Sequence, residues 1–205
     1  MRQSGLLQHL SEVLLVDDGS TDETPQLLKS FAAENPACVR VVTLEKNLGR
    51  FQARWEGAKA SRCEKILFLD TRLELEAGFN EALVELVPKH NSIMGVVNID
   101  TTTSIFSLYW ERSHRALFRK HFEAADRGFY LTPENYDQFL KGTTIFLCMR
   151  SDFLSSCEVF SDIEVLSDDT ALMKVIVEKS PIWVDSRLAI RWWPRENARD
   201  FLVRL

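Results

Sequence analysis

Apolar runs and amphipathic stretches alternate through the first half of the chain. Val13-Leu-Leu-Val16 ends abruptly in Asp17-Asp-Gly-Ser-Thr-Asp-Glu-Thr24. An apolar run of that length, bounded by turn residues, predicts a buried strand. Gly19 allows a turn at positive φ, Ser20 with Glu23 fits a capping box, and Pro25 suits a first helical turn. The stretch therefore predicts strand, acidic tip and capped helix. Upstream, Leu6, Leu7 and Leu10 share one helical face. Downstream, residues 23–33 carry Leu27, Leu28 and Phe31 at core spacing, and Pro36 closes the helix. Residues 39–44 predict a second strand. A helix over 50–61 follows the Asn47-Leu-Gly49 break, and residues 65–69 form a third strand that again ends in an aspartate, Asp70. Phe79, Leu83, Leu86 and Val87 mark a helix stopped by Pro88, and residues 93–99 predict a further strand. Strands alternating with helices in this way imply a mainly parallel sheet with right-handed crossovers.

The pattern changes after Asp100. Residues 105–122 carry Ile105, Leu108, Tyr109, Leu117, Phe118 and Phe122 without Gly or Pro, and Arg112, Arg115, Arg119 and Lys120 are interleaved. This predicts a helix with a solvated basic face over an apolar one. Residues 143–149 predict another strand, 168–179 a helix led by Ser167, Asp168 and Asp169, and 182–184 and 188–192 two short strands. Pro194 opens a last amphipathic stretch with Ala198, Phe201, Leu202 and Leu205 at helical spacing.

Composition narrows the class. A length of 205 residues suits one domain with a sizeable core, and 45% hydrophobic with 27% charged residues is the balance of a soluble globular protein. A net charge of −5 argues against general nucleic-acid binding. Cys38, Cys63, Cys148 and Cys157 form no CxxC pair and no zinc spacing, so they read as reduced structural thiols of a cytoplasmic protein. No run of about 18 apolar residues predicts a membrane-spanning helix.

The acids stand where chemistry is done. In a parallel sheet, the tips at Asp17/Asp18 and Asp70 face one crevice at the carboxyl ends of the strands. Carboxylates there accept hydrogen bonds from a base or ribose, or hold a divalent cation that neutralises phosphates. They equally suit an ordinary strand-to-helix turn. Asp168 and Asp169 open a helix, where the dipole favours carboxylates, so capping and a general-base role are both open. Arg54 is either a surface arginine or a bidentate partner for a diphosphate.

Val16-Asp-Asp-Gly-Ser-Thr-Asp22, Asn47-Leu-Gly49 with Ala53-Arg54, Ile66-Leu-Phe-Leu-Asp70 and Asp168-Asp-Thr-Ala-Leu172 occur in an order that resembles the family 2 nucleotide-sugar glycosyltransferases, over about residues 6–200. The resemblance implies an α/β, Rossmann-like A-type fold, with a mainly parallel central sheet flanked by helices, and transfer with inversion of the anomeric centre. It implies one domain over 1–205, with a nucleotide-binding half at 1–100 and an acceptor and catalytic-base half at 101–205. By position, one or both of Asp17 and Asp18 bind the nucleotide base, and Arg54 lies by the nucleotide. Asp70 is the first acid of an Asp-x-Asp metal motif, which implies Mn or Mg as cofactor. Asp169, paired with Asp168, matches the catalytic base. Arg191-Trp192 falls where the family has a metal-contacting histidine or an acceptor-side Arg-Trp, near the diphosphate. The implied partners are a nucleoside diphosphate sugar and a glycan, lipid or protein acceptor, and not nucleic acid. A carboxylate at the base suits the N3–H of uracil and favours uridine diphosphate. The expected setting is glycan or polysaccharide biosynthesis in the cytoplasm, including the cytoplasmic face of a membrane through a longer parent chain.

Two departures qualify the resemblance. The metal motif reads Asp70-Thr71-Arg72, so either Asp70 alone holds a metal or Arg72 supplies part of the positive charge; Glu74 is a further candidate. Only 11 residues precede Glu12, too few for the strand and helix with which the family begins. The expectation is a chain trimmed at both ends that lacks the first strand and is poorly stable or self-associating. Three rival readings remain: a catalytically silent relative that binds nucleotide, a receiver-type signalling module with Asp70 as phosphoacceptor, and a nucleotidyltransferase. The last lacks its usual glycine-rich basic loop.

Overall fold

The computed structural model describes residues 5–71, 73–102, 104–160 and 169–193. After a 3-10 turn at Leu6–His9 the chain forms β1 (Val13–Asp17), α1 (Thr24–Glu34), β2 (Val39–Thr43), α2 (Arg50–Ala60), β3 (Lys65–Leu69), β4 (Leu73–Leu75), α3 (Phe79–Leu86) and β5 (Ser92–Ile99). It continues through α4 (Ile105–Leu117), α5 (Arg119–Ala125), β6 (Phe129–Leu131), a 3-10 turn at Tyr136–Gln138, β7 (Ile145–Met149), α6 (Arg150–Glu158), α7 (Asp169–Lys179) and β8 (Ile182–Trp192). Two compact units emerge. The first holds the described residues up to Ile66 together with Cys148–Lys179, and the second holds Leu67–Leu147 and the described residues from Ser180.

In the first unit β1 and β2 pair in parallel from Val13↔Val39 to Asp17↔Thr43, with α1 as the crossover. Glu12 ties the amino ends of this layer together, accepting from the Arg40 guanidinium, from Ser61 Oγ at 3.2 Å and from the Arg62 N–H at 3.0 Å. Helix α2 packs on β1 through Gly57, where a Cβ would stand 2.9 Å from Val16 Cγ2. Arg150 closes the far end of α2. Its guanidinium donates to the Ala58 and Lys59 carbonyls at 2.7 and 3.1 Å, a cation at a helix C-terminus. Phe153 and Cys157 of α6 and Leu172, Met173, Ile176 and Val177 of α7 are buried.

The larger sheet runs β3-β7-β5-β8-β4, with β6 also paired to β8. β5 and β8 are parallel from Ser92↔Ile182 to Ile99↔Trp192, with a register shift between Met94 and Val96. The β5–β7, β4–β8 and β6–β8 pairs are antiparallel. The antiparallel members are β4, within the alternating first half, and β6 and β7, beyond Asp100, so the whole is a mixed sheet flanked by helices. Ile93, Met94 and Val96 of β5, Ile145 and Phe146 of β7, Val184, Leu188 and Ile190 of β8, and Phe79, Leu83 and Leu86 of α3 form its core.

Several local expectations are corrected. The capping box at Ser20 and Glu23 does not form. The Ser20 N–H is taken by Asp17, α1 starts at Thr24, and Asp22 Oδ1 accepts the Thr24 N–H at 2.9 Å. Leu27 is exposed, and no residue of α1 is fully buried. Segments 182–184 and 188–192 are one eleven-residue strand. The helix expected over 105–122 breaks at Phe118 into α4 and α5. Its apolar positions divide: Phe122 is buried and Leu108 half-buried, whereas Ile105, Tyr109, Leu117 and Phe118 are exposed. The stretch expected after Pro194 lies outside the described residues. No described helix is long and apolar enough to cross a membrane.

Candidate functional site

The tip of β1 separates the two aspartates that the sequence leaves equivalent. Asp18 is committed to the backbone: Oδ1 accepts the Leu48 N–H at 2.8 Å and Oδ2 the Gly49 N–H at 2.9 Å. Those groups lead into the amino end of α2, where a carboxylate meets unsatisfied N–H donors and the positive end of the helix dipole. Asp17 is different. Oδ1 accepts the Ser20 N–H at 3.0 Å, but Oδ2 is buried without a partner, and the whole residue is only 2% exposed. Gly19 makes this arrangement possible. It sits at φ 70°, and a Cβ there would lie 2.4 Å from the Lys46 carbonyl carbon and 2.6 Å from the Asn47 nitrogen. The loop before α2 therefore lies directly over the turn after β1.

Arg54 is half-buried on α2. It shares the face of Gly57, one turn nearer the amino end that Asp18 holds, so it lies toward the acidic tip of β1. Asp169 is the first residue of α7, and its side chain, like all of Asp168, lies outside the described residues. The buried thiols of this unit are inert. Desolvation pushes Cys157 up to about 12 and raises Cys148 well above the usual thiol range.

In the second unit Asp70 follows β3. Its N–H donates to the Thr144 carbonyl at 3.4 Å, and Thr144 Oγ1 donates to its Oδ2 at 3.3 Å. Arg72 lies outside the described residues. Glu74 is exposed, with Arg191 opposite it across the β4–β8 ladder. Arg191 is exposed, whereas Trp192 is half-buried and accepts the Asp100 N–H on its carbonyl at 2.9 Å. Asp100 is an acid that sequence reasoning did not select. It is 5% exposed at the carboxyl end of β5, and the Thr102 hydroxyl donates to its oxygens, at 2.8 and 3.1 Å. Its signal was available, since Ile99-Asp100 repeats the apolar-run-then-aspartate pattern of Val16-Asp17 and Leu69-Asp70.

A divalent cation needs oxygen ligands, and among the described residues no group of three His, Cys, Asp or Glu side chains is assembled to hold one. Asp70 offers a single carboxylate, which suits a magnesium-like ion only where substrate phosphates and water complete the shell.

Residues 5–163 match the family described as glycosyl transferase family 2. The chain is 31% identical over 139 residues to mouse polypeptide N-acetylgalactosaminyltransferase 6, covering 66% of this chain and 22% of that protein. It is 33% identical over 95 residues to the undecaprenyl-phosphate 4-deoxy-4-formamido-L-arabinose transferase of Pseudomonas fluorescens SBW25, covering 46% of this chain and 28% of that one. The chain thus spans about a quarter of these relatives. Among solved structures it resembles S. aureus TarS 1-349 in complex with UDP-GlcNAc, at a TM-score of 0.64 and 20% identity over 92% of this chain and 51% of that one. It also resembles the mannosyltransferase PcManGT of Pyrobaculum calidifontis in complex with GDP-Man and Mn2+, at 0.59 and 16% over 88% and 47%. With the strand-tip aspartates, the β1–α1–β2 crossover and the mixed sheet in place, the chain belongs to glycosyl transferase family 2 and has the A-type glycosyltransferase fold.

Proposed function

We propose that the domain transfers a sugar from a nucleoside diphosphate sugar to an acceptor hydroxyl with inversion. The observation that carries this reading is Asp17 Oδ2, a buried acceptor with no donor at the carboxyl end of a parallel strand. Burying such an oxygen unpaired is costly, and a base N–H relieves the cost. Uracil N3–H is such a donor, and uridine nucleotides occur in the GalNAc-T7 and TarS complexes, which supports a uridine diphosphate donor. Asp18 serves the loop rather than the nucleotide. Arg54 places a guanidinium on the nucleotide side, where it offsets diphosphate charge.

The chemistry is a single displacement. Asp169 takes the proton of the acceptor hydroxyl, and that oxygen bonds to the anomeric carbon from the face opposite the diphosphate. The bond from the anomeric carbon to the diphosphate oxygen breaks, and the oxygen leaves with the electron pair. Asp168, its neighbour in sequence, is assigned with it to the catalytic pair. GalNAc-T7 and PcManGT were solved with Mn2+, so a divalent cation is the proposed cofactor, with Asp70 as the residue that holds it. When bound, it stabilises negative charge on the leaving diphosphate. Arg72, Arg191 and Trp192 are assigned to the diphosphate side.

Calorimetric titration with uridine and guanosine diphosphates, with and without Mn2+, tests the reading. Uridine diphosphate is expected to bind, with an affinity at least about tenfold lower in Asp17→Asn and little changed in Asp18→Asn. Slow hydrolysis of a uridine diphosphate sugar, followed by NMR, is expected to release the sugar first in the inverted anomeric form and to stop in Asp169→Asn. A folded chain that binds neither nucleotide would refute the proposal. Binding without turnover would favour the silent relative.

A further inference from the structure

A groove of about 380 Å3 opens at the end of the larger sheet where β5 and β8 begin and β6 ends, with Lys89, His90, Asn91, Tyr130, Thr132 and Ser180 in its lining. The run of β5 from Ser92 to Ile99 puts it about 23 Å from Asp100 and Trp192 at the opposite end. Its aromatic side is held from behind. The His90 ring lies flat on Trp183, with centroids 4.8 Å apart and planes at 7°, and Tyr130 meets Trp183 edge-on at 4.9 Å. Tyr130 Oη and His90 Nδ1 stand 3.0 Å apart, within hydrogen-bond reach. Trp183 is itself fixed: Nε1 donates to Asp185 Oδ2 at 3.1 Å, and the Gly128 backbone lies so close that a Cβ there would stand 2.2 Å from Trp183 Cζ2. Tyr130 therefore keeps a set position while 46% exposed, which lowers the ordering cost of any contact made to its ring.

The charges around the groove answer one another. Lys89 Nζ is held by Glu85 at 2.8 Å, Glu85 holds Arg187 at 2.8 Å, and Arg187 holds Asp185 at 2.9 Å. What the lining offers a ligand is the Tyr130 ring beside the Asn91 amide and the Ser180 and Thr132 hydroxyls, the last also bonded to Glu134. Amides and hydroxyls both donate and accept hydrogen bonds, and a tyrosine presents an apolar body with a polar tip. A ligand matched to that set has an apolar face of C–H groups, a rim of hydroxyls and no net charge. A pyranose ring is built in that way, and the volume falls in the range of small-ligand clefts. We infer that this groove binds a neutral glycan, at a place separate from the strand-tip crevice. A saccharide long enough to run the length of the sheet is thereby tethered, at an effective concentration set by its own length. The inference stands without the nucleotide reading, because binding here involves neither Asp17 nor a nucleotide.

The test is a glycan array of neutral, sialylated and sulfated oligosaccharides, probed with the whole chain in the absence of nucleotide. The neutral glycan that gives the strongest signal is then titrated by calorimetry. Neutral glycans are expected to bind in preference to charged ones. Tyr130→Ala is expected to lower the affinity at least about tenfold, Tyr130→Phe to keep it within about threefold, and Asn91→Ala to lower it about fivefold. Tyr130 and Asn91 are both exposed, and circular dichroism checks that each variant is folded. Asn91→Ala serves as the second variant where loss of the Tyr130 ring disturbs Trp183. Uridine diphosphate binding is expected to be unchanged in Tyr130→Ala, and glycan binding unchanged in Asp17→Asn, so this inference and the nucleotide reading fail separately. A folded chain that binds no neutral glycan overturns the inference, as does a preference for the charged glycans or binding that both Tyr130→Ala and Asn91→Ala leave intact. Loss of glycan binding in Asp17→Asn would overturn it in favour of the strand-tip crevice.

Discussion

Asp17 and Asp18 adjoin in sequence, yet their substitution should have opposite consequences. Asp18 gives both oxygens to backbone N–H groups at the entry to α2, so Asp18→Ala is expected to cost about 1–2 kcal/mol in chemical denaturation. Asp17→Asn keeps an acceptor for Ser20 and removes a buried charge, so its stability is expected to stay within about 1 kcal/mol of the parent while nucleotide affinity falls. That pair of results separates a structural from a ligand-binding carboxylate without reference to turnover. The sequence showed that acids end the first strand, but which oxygen is spent depends on a loop thirty residues away. Residues 46–49 must fold over Gly19 before Asp18 has its two donors, and no local spacing encodes that closure.

At the scale of elements, α4 and α5 enclose a histidine pair with a pH signature. His121 is 4% exposed among Phe122, Phe129 and Phe139, with its Nδ1 unpartnered. Desolvation, reinforced by neighbouring His114, pushes its pKa down to about 4. His114 is lowered in the same sense by burial and by Arg115, against the opposing charge of Glu111. The unfolded chain takes up these protons near the ordinary histidine value of about 6.5, whereas the folded chain resists them down to about 4. The unfolded state therefore binds more protons in that window, and stability rises with pH across it and is lost on acidification. Melts in a pH series are expected to show a loss on the order of 2 kcal/mol between neutral pH and the lower end of the window, and His121→Leu should flatten most of the slope. Periodicity found these helices, and Arg112, Arg115, Arg119 and Lys120 are exposed as expected, but it did not show that Ile105, Tyr109 and Leu117 are exposed too. Apolar spacing alone cannot say which side of a helix carries caps, and here Ser104, Ser107 and Glu111 spend their polar groups on the inner side.

For the molecule as a whole, burial is unevenly shared. The β5–β8 pair and its neighbours carry most of the fully buried apolar residues, whereas Leu14, Leu15 and Val16 of β1 are only half-buried and α1 has no fully buried residue. Among the described residues β1 pairs with β2 alone. Amide hydrogen exchange is expected to be on the order of a hundredfold faster in β1, α1 and β2 than in β5 and β8, and nucleotide binding should narrow the gap by slowing the first group. The strand–helix alternation up to β5 could be read directly from runs and breaks. The mixed character of the sheet could not, because β4, β6 and β7 are short segments whose partners lie far along the chain. β8 is the extreme case. It pairs with β5 on one side and with β4 and β6 on the other, and Ile182, Val184, Leu188 and Ile190 are its buried residues. A ribosome emits this chain from its amino end, and β5 leaves some ninety residues ahead of its parallel partner. Until Trp192 has emerged, the nascent chain holds an apolar strand with one edge open, so its synthesis passes through a window in which a holding chaperone has its natural target.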